Sequence, residues 1–221
     1  MNEASLIRAQ LRGLQAYRAE GHEIVLIDGG SSDDSIENAA GLADRIEISA
    51  PGRSTQMNRG AELARGDVLL FLHIDTSLPA QVDQLIAAAM NPGAHQQRQW
   101  GWFDIRLSHP ALAYRIIAAA MNLRARCTAV CTGDQALFVT AELFHRLGGF
   151  PTIPLMEDIA MSKWLRRAAR PAPIKTTALA SSRRWQQHGL VKTVLLMWWL
   201  RLQYFLGVSP RLLVKRYYPR R

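Results

Sequence analysis

Residues 67–75 read Asp-Val-Leu-Leu-Phe-Leu-His-Ile-Asp, and no other stretch constrains the fold as tightly. The apolar run from Val68 to Leu72 is too short for a globular helix and suits a strand buried on both faces. Gly66 breaks the chain before it, and Ser77 and Pro79 break it after. His73 and Asp75 stand at its far end, where open α/β sheets bind their ligands. A carboxylate in that place suits a hard divalent cation sharing its shell with substrate phosphates. The plainer reading is that Asp75 caps the helix that Pro79 begins. This stretch alone does not separate the two.

The surrounding chain repeats the theme. Glu23–Asp28 is a second short apolar run ending in an Asp, and Gly29-Gly-Ser-Ser-Asp-Asp-Ser35 follows it. Glycines let the backbone approach a ligand, and the Ser/Asp cluster can cap a helix or hold ribose and base. Residues 3–19 read as a helix, Arg45–Ser49 as a strand, and Pro51–Ala61 as the lead into a helix closing at Gly66. Arg53 in that lead could meet a phosphate with its planar fork, or be a solvated loop arginine. Helices are expected at 79–90, 110–126, 141–147 and from Glu157 to about Ala169, with Trp164 and Leu165 inward. Ala-rich Ile116–Met121 suggests tight packing of the second of these. Trp100–Leu107, Ala136–Thr140 and Ile174–Ala180 read as strands, and Asn91–Gln99 as a polar loop. Glu157 and Asp158 open a helix, where negative charge is favoured by the dipole, so capping is their ordinary role.

Charge is distributed unevenly along the 221 residues. Up to Asp158 there are 13 basic and 18 acidic residues; beyond it there are 14 basic and none acidic. That asymmetry implies an anionic partner at the C-terminal end. Leu190–Val208 is apolar and aromatic, with Arg201 in its middle, which suits the plane of a membrane interface better than a span. The alternative is a helix packed on the domain's own core. Nucleic acid fits poorly, because the basic residues alternate with long apolar runs. No signal peptide is read, since Asn2, Glu3, Arg8 and Arg12 stand where an apolar core belongs. Cys127 and Cys131 share a helical face without further ligands and read as buried small residues in a reducing compartment.

Taken in order, Ile27-Asp-Gly-Gly-Ser-Ser-Asp33, Leu72-His-Ile-Asp-Thr76, Gly133-Asp-Gln135, Gly148-Gly-Phe150, Glu157-Asp158 and Arg183-Arg-Trp185 resemble the family-2 glycosyltransferases with the GT-A fold. Arg53, Gln56, Met57, Asn58 and Gly60 match the Gly-Arg-x-x-Gln-Met-Asn-x-Gly pattern of a bacterial subfamily associated with radical-SAM and selenium-linked proteins. The resemblance implies an α/β, Rossmann-like fold: a mostly parallel mixed sheet with helices on both faces in residues 1–186, then a basic amphipathic helical tail over 187–221. It implies inverting, non-processive transfer of a sugar from a nucleotide-diphosphate sugar to an acceptor hydroxyl, a lipid-linked one included. Asp158 would be the general base, and Asp75 would ligate Mg²⁺ or Mn²⁺. Asp28, Gly29, Gly30, Ser31, Asp33, Arg53, Gln56, Asn58, His73, Gly133, Asp134, Gln135, Glu157, Arg184 and Trp185 would bind donor or acceptor. The expected location is cytoplasmic, peripheral on the inner face of the cell membrane.

The chain departs from the family in three places. Asp-x-Asp reads His73-Ile-Asp75, which keeps the metal-binding second Asp. The Gln-x-x-Arg-Trp of processive synthases reads Ser181-Ser-Arg-Arg-Trp185, which argues for single transfer. The opening strand, of the type Val-Ile-Ile-Pro-x-x-Asn-Glu, has no counterpart before Asn2-Glu3. Its place would lie between the strands at 23–28 and 67–72, so those edges are expected to lack a neighbour. A natural start upstream, giving a more stable chain, is one expectation. Two rival functions remain at this level: nucleotidyl transfer, opposed by the lack of a basic residue near Glu3 and Ala4, and a non-catalytic peripheral membrane or scaffold protein.

Overall fold

The computed structural model describes residues 2–217 apart from 92 and 94–96. Parts of the loop expected at 91–99 and the last residues of the tail therefore lie outside the described residues. In chain order, α1 (Ala4–Gly13) and α2 (Gln15–Ala19) precede β1 (Val25–Asp28), α3 (Ser35–Ala39) and β2 (Arg45–Ile48). α4 (Arg53–Leu63) leads to β3 (Val68–Leu70), a short β4 (Thr76–Ser77) and α5 (Val82–Met90). β5 (Trp100–Leu107) and α6 (Leu112–Thr128) follow, then a 3₁₀ turn at Gly133–Gln135, β6 (Phe138–Thr140), α7 (Ala141–Arg146), α8 (Glu157–Ala168) and β7 (Pro171–Ala180). Beyond the sheet come α9 (Arg183–His188), α10 (Leu190–Phe205) and α11 (Pro210–Tyr217).

Five strands form one mixed sheet in the order β3-β6-β5-β7-β4, with β5 and β7 parallel and the other neighbours antiparallel. β5 is its axis. Trp100 and Trp102 point to one face and pack with Leu143 and Phe144 of α7 and Met161 and Leu165 of α8. Phe103 points to the other and meets Phe138 and the buried face of α5, Val82, Ile86 and Met90. A register shift between Phe103 and Asp104 then turns Ile105 and Leu107 onto Tyr114 and Ala118 of α6. Burying each such side chain contributes about 1.5–3 kcal/mol. Gly101 has no room for a side chain: a Cβ there would lie 2.1 Å from the Ala172 carbonyl oxygen.

β1 and β2 form a separate parallel pair. The other edge of β1 carries no strand among the described residues, and β3 belongs to the larger sheet, so the two strands have not closed up. Ile24 and Asp28 turn their carbonyls towards β2. By strand alternation the Ile27 carbonyl faces the open edge, where it accepts the Gln56 side-chain amide at 3.0 Å. α1 and α3 cover one face of the pair: Ile7, Leu11 and Ala39 pack with Ile24, Leu26 and Ile46.

Several expectations are corrected here. The first helix breaks at Leu14, and the helix after Pro79 starts only at Val82, because Gln81 is left-handed at φ 57°. Trp164 is at the surface while Leu165 is buried, so only one of the pair faces inward. Cys127 is exposed at the end of α6; Cys131, beyond the helix, is buried and its thiol is pushed up to about 12 by that burial. The tail helices belong to the packed structure on one side: Leu200, Leu213 and Tyr217 share a core with Leu155, Met156 and Ile159.

Candidate active site

Separate loops, one after β1 and the others around the larger sheet, carry the polar residues singled out by the sequence. At the end of β1, Asp28 is buried, and its carboxylate accepts the Gly30 N–H at 2.7 Å, the Ser31 N–H at 2.5 Å and the Ser31 hydroxyl at 2.6 Å. Burial acts to raise its pKa, but these donors prevail and hold the carboxyl below the usual range. Asp28 is thereby the organiser of the Gly29–Asp33 loop, with Gly29 buried and Gly30 in the left-handed region at φ 88°.

The start of the chain is tied to this loop. Asn2 donates its N–H to the Ser31 hydroxyl at 2.9 Å and accepts the Ser32 N–H at 3.0 Å. Glu3 donates to the Ser35 hydroxyl and Ala4 to the Asp33 carboxylate. The Asp33 carboxyl is lowered, first by the Ser35 hydroxyl, which outweighs its desolvation. The Glu3 carboxylate takes both its oxygens to Arg183, at 3.0 and 3.1 Å, and its charge reaches Asp75. Glu3 had no assigned role in the sequence reading. The available signal was the Asn-Glu pair that ends the family's opening pattern, repeated at Asn2-Glu3.

The second group centres on Asp75. Its carbonyl accepts the Ser181 N–H at 3.1 Å, which fixes the end of the 67–75 segment against the end of β7. Burial raises the Asp75 pKa first, the charge of Asp134 adds to this, and His73 opposes both. His73 Nδ1 lies 3.4 Å from Asp134. Desolvation pushes the Asp134 carboxyl up, yet His73, Arg53 and Arg184 together bring it below its ordinary value. Gly133 lets this loop close over the imidazole, since a Cβ there would come within 2.2 Å of the His73 ring. Gln135 is buried and closes a reciprocal capping box with Thr132.

The third group opens α8. Asp158 Oδ2 accepts the Gly133 N–H at 3.0 Å, across 25 residues, and Oδ1 accepts the adjacent Ile159 N–H at 2.7 Å. Met156 is the N-cap, and both acids lie in the first turn, where the helix dipole favours them. The bond from Gly133 is the one hydrogen bond of Asp158, among the described residues, that reaches beyond its own helix. Glu157 is buried 4.0 Å from Arg53, and its pKa is raised by burial and then by Asp158. Arg124 of α6 lies in the field of Asp158, and its Nε and Nη2 are buried without a hydrogen-bond partner among the described residues. Burial lowers the Arg124 pKa and Asp158 counters it. Arg184 of α9 stacks on the Tyr217 ring at 3.9 Å, and Trp185 packs beside Ile105 and Tyr114.

Two residues expected at the ligand site also hold backbone. Asn58 gives both ends of its amide to the Phe150 backbone, at 2.8 and 2.9 Å, and so clamps the Gly148–Phe150 turn. Gln56 serves the open edge of β1. Both ends of the Asn58 amide and the Gln56 amide nitrogen are thus engaged by backbone.

Asp75 and Asp134 are neighbouring carboxylates whose repulsion a divalent cation would relieve. Such an ion takes one or two protein carboxylates and completes its shell with phosphate oxygens and water, and this donor set fits that chemistry. Among the described residues, Glu20, His22 and Asp83 also place possible ligand atoms within 4.8 Å of one another, at the surface.

Residues 1–138 match the description of glycosyl transferase family 2. The PGL/p-HBAD biosynthesis glycosyltransferases of Mycobacterium bovis and Mycobacterium tuberculosis are 33% identical over 112 residues, 48% of this chain and 43% of theirs. The chain thus spans less than half the length of these relatives. A Pyrobaculum calidifontis mannosyltransferase, solved with GDP-Man and Mn²⁺, superposes with a TM-score of 0.60 at 20% identity, over 81% of this chain and 53% of that one. Glucosyl-3-phosphoglycerate synthase from Mycobacterium tuberculosis, solved with Mn²⁺, UDP and glucosyl-3-phosphoglycerate, gives 0.56 at 18% identity, over 81% and 68%. The fold is that of the GT-A transferases, and the chain belongs to glycosyl transferase family 2.

Proposed function

We propose that the cleft transfers a sugar from a nucleotide-diphosphate donor to an acceptor hydroxyl, with inversion at the anomeric carbon and one transfer per encounter. The observation that carries this is the convergence of Asp75, Asp134, Glu157 and Asp158 with His73, Arg53 and Arg184 from separate loops. Four carboxylates sharing a cleft with basic side chains suit a substrate that brings its own negative charge and a cation. The Gly29–Asp33 loop, held in shape by the bonds it makes to Asp28, would line the nucleoside site.

Mg²⁺ or Mn²⁺, held by Asp75, would neutralise charge on the departing diphosphate. Asp158 is oriented by two backbone N–H groups, so its rotamer is set before substrate arrives. Its carboxylate retains acceptor capacity for the proton of an incoming hydroxyl. Arg53 and Arg184 add positive charge beside Asp134, where the diphosphate would lie. Ser181-Ser182 in place of the processive motif's opening favours single transfer. The basic, apolar tail favours an acceptor presented at an anionic membrane on its cytoplasmic side, lipid-linked acceptors included.

The test is hydrolysis and transfer over a panel of nucleotide sugars with Mn²⁺, reading the anomer of the released sugar. Asp158→Asn should keep donor affinity and lose about 10²–10⁴-fold in turnover, as expected for a missing base. Full activity in that variant, or a retained anomer, would refute the assignment.

A further inference from the structure

We infer that the outward faces of α6 and α10 together form one docking surface for an anionic lipid bilayer. α10 buries Thr193 and Leu200 but exposes Val191, Leu195, Trp198, Leu202 and Phe205, spaced four, three, four and three residues apart along a single stripe. Trp198 is 70% exposed and Phe205 76%. α6 carries its own exposed stripe, Leu112, Ile116 and Leu123. The two helices meet along a groove of about 290 Å³ lined by Ile116, Ile117, Leu190, Val191, Val194 and Leu195, so the stripes belong to one apolar face.

Charge selects the occupant. α6, α10 and α11 contain no Asp or Glu. Of their basic residues, Arg124 is partly buried near Asp158 and Arg126 pairs with Asp104, while Arg115, Lys192, Arg211, Lys215 and Arg216 are exposed. Two copies meeting through this face would bring like charges together, whereas an anionic leaflet complements the cations and takes up the aromatic stripe. Among the described residues no helix is long and apolar enough to cross a membrane, so the contact lies in the interface plane. The face is joined to the cleft from behind. The buried side of the tail helices packs on Leu155, Met156 and Ile159, which flank Glu157 and Asp158, and Leu190 packs with Ile117 and Trp185. A bilayer seated on α6 and α10 would therefore hold the acceptor side of the cleft at a fixed height. The inference rests on the proposed membrane-presented acceptor, but its test contains no donor, so it stands or falls apart from the chemistry.

The full chain is sedimented with vesicles of phosphatidylglycerol and phosphatidylcholine, and with phosphatidylcholine alone, at low and high salt. It should partition onto the anionic vesicles, less so in salt, with tryptophan emission quenched by acyl-chain bromines. Ile116→Glu on α6 and Leu195→Glu on α10 should each weaken partitioning about tenfold or more, since each puts a charge into the buried face. Both positions are exposed, and a thermal melt checks folding; Leu112→Gln serves if Ile116→Glu does not fold. Unchanged binding in the α6 variants would overturn the composite face. So would a parent chain that ignores anionic vesicles yet forms a dimer in ultracentrifugation that the double variant dissociates.

Discussion

The two sheets begin from similar sequence and end in different states. β5 and β1 are both apolar runs, yet Trp100, Trp102 and Phe103 are fully buried while Val25, Leu26 and Ile27 are only half-covered. β5 has a neighbour on each edge and helices on each face; β1 has β2, helices above and below, and an open edge. Val68 on β3 is likewise 38% exposed. The apolar content of a run states what it could bury. How much is buried depends on what lies beside it.

That contrast is broken or sharpened by substitution. Trp100→Ala should destabilise by about 3–5 kcal/mol, through a large cavity and the loss of its indole bond to Ala169. Leu26→Ala on β1 should lose only about 1 kcal/mol, since its side chain is already partly hydrated. Urea midpoints for the two variants check this, and equal losses would mean that β1 is as well packed as β5.

A smaller effect separates clamp from ligand. Asn58→Ala removes two hydrogen bonds to the Phe150 backbone and should lower stability by about 1–3 kcal/mol. Donor affinity, measured well below the melting temperature, should stay close to that of the parent. An affinity loss without a stability loss would return Asn58 to the binding site.

The smallest effect is local and set by acid. Asp28 and Asp33 have depressed pKa values, so their ionised bonds stabilise the loop above the unfolded carboxylate range and are lost as pH falls through the folded values, below 3.8. Amide exchange at residues 29–35 should be steady from pH 7 to about 5 and rise, corrected for intrinsic rates, below about pH 4. Exchange in β5 should not follow it there.

Much of the architecture was legible because the periodic signal was strong. β5 has the bounds read from Trp100–Leu107, and α8 begins at Glu157. The site's acidic members were legible as strand ends and a helix start. What a motif does not state is which atom does what: Gln56 and Asn58 sit in a pattern with Arg53, but their amides bind backbone. Periodicity also leaves the covered side undecided. The Ala-rich stretch of α6 suggested close packing, yet Ile116 is 60% exposed, and Trp164 lies on the surface side of α8. Arg124, between Asn122 and Ala125 on α6, bears no mark in the sequence of its place near Asp158.

The central claim is that the cleft around Asp75 receives a nucleoside diphosphate together with a divalent cation. Calorimetric titration of UDP and GDP, with and without Mn²⁺, into the parent and Asp75→Ala proteins tests it most directly. At least one nucleotide should bind the parent in a Mn²⁺-dependent way, and Asp75→Ala should abolish that dependence while melting near the parent temperature. Equal nucleotide affinity in both proteins, with no effect of Mn²⁺ on either, would contradict the account.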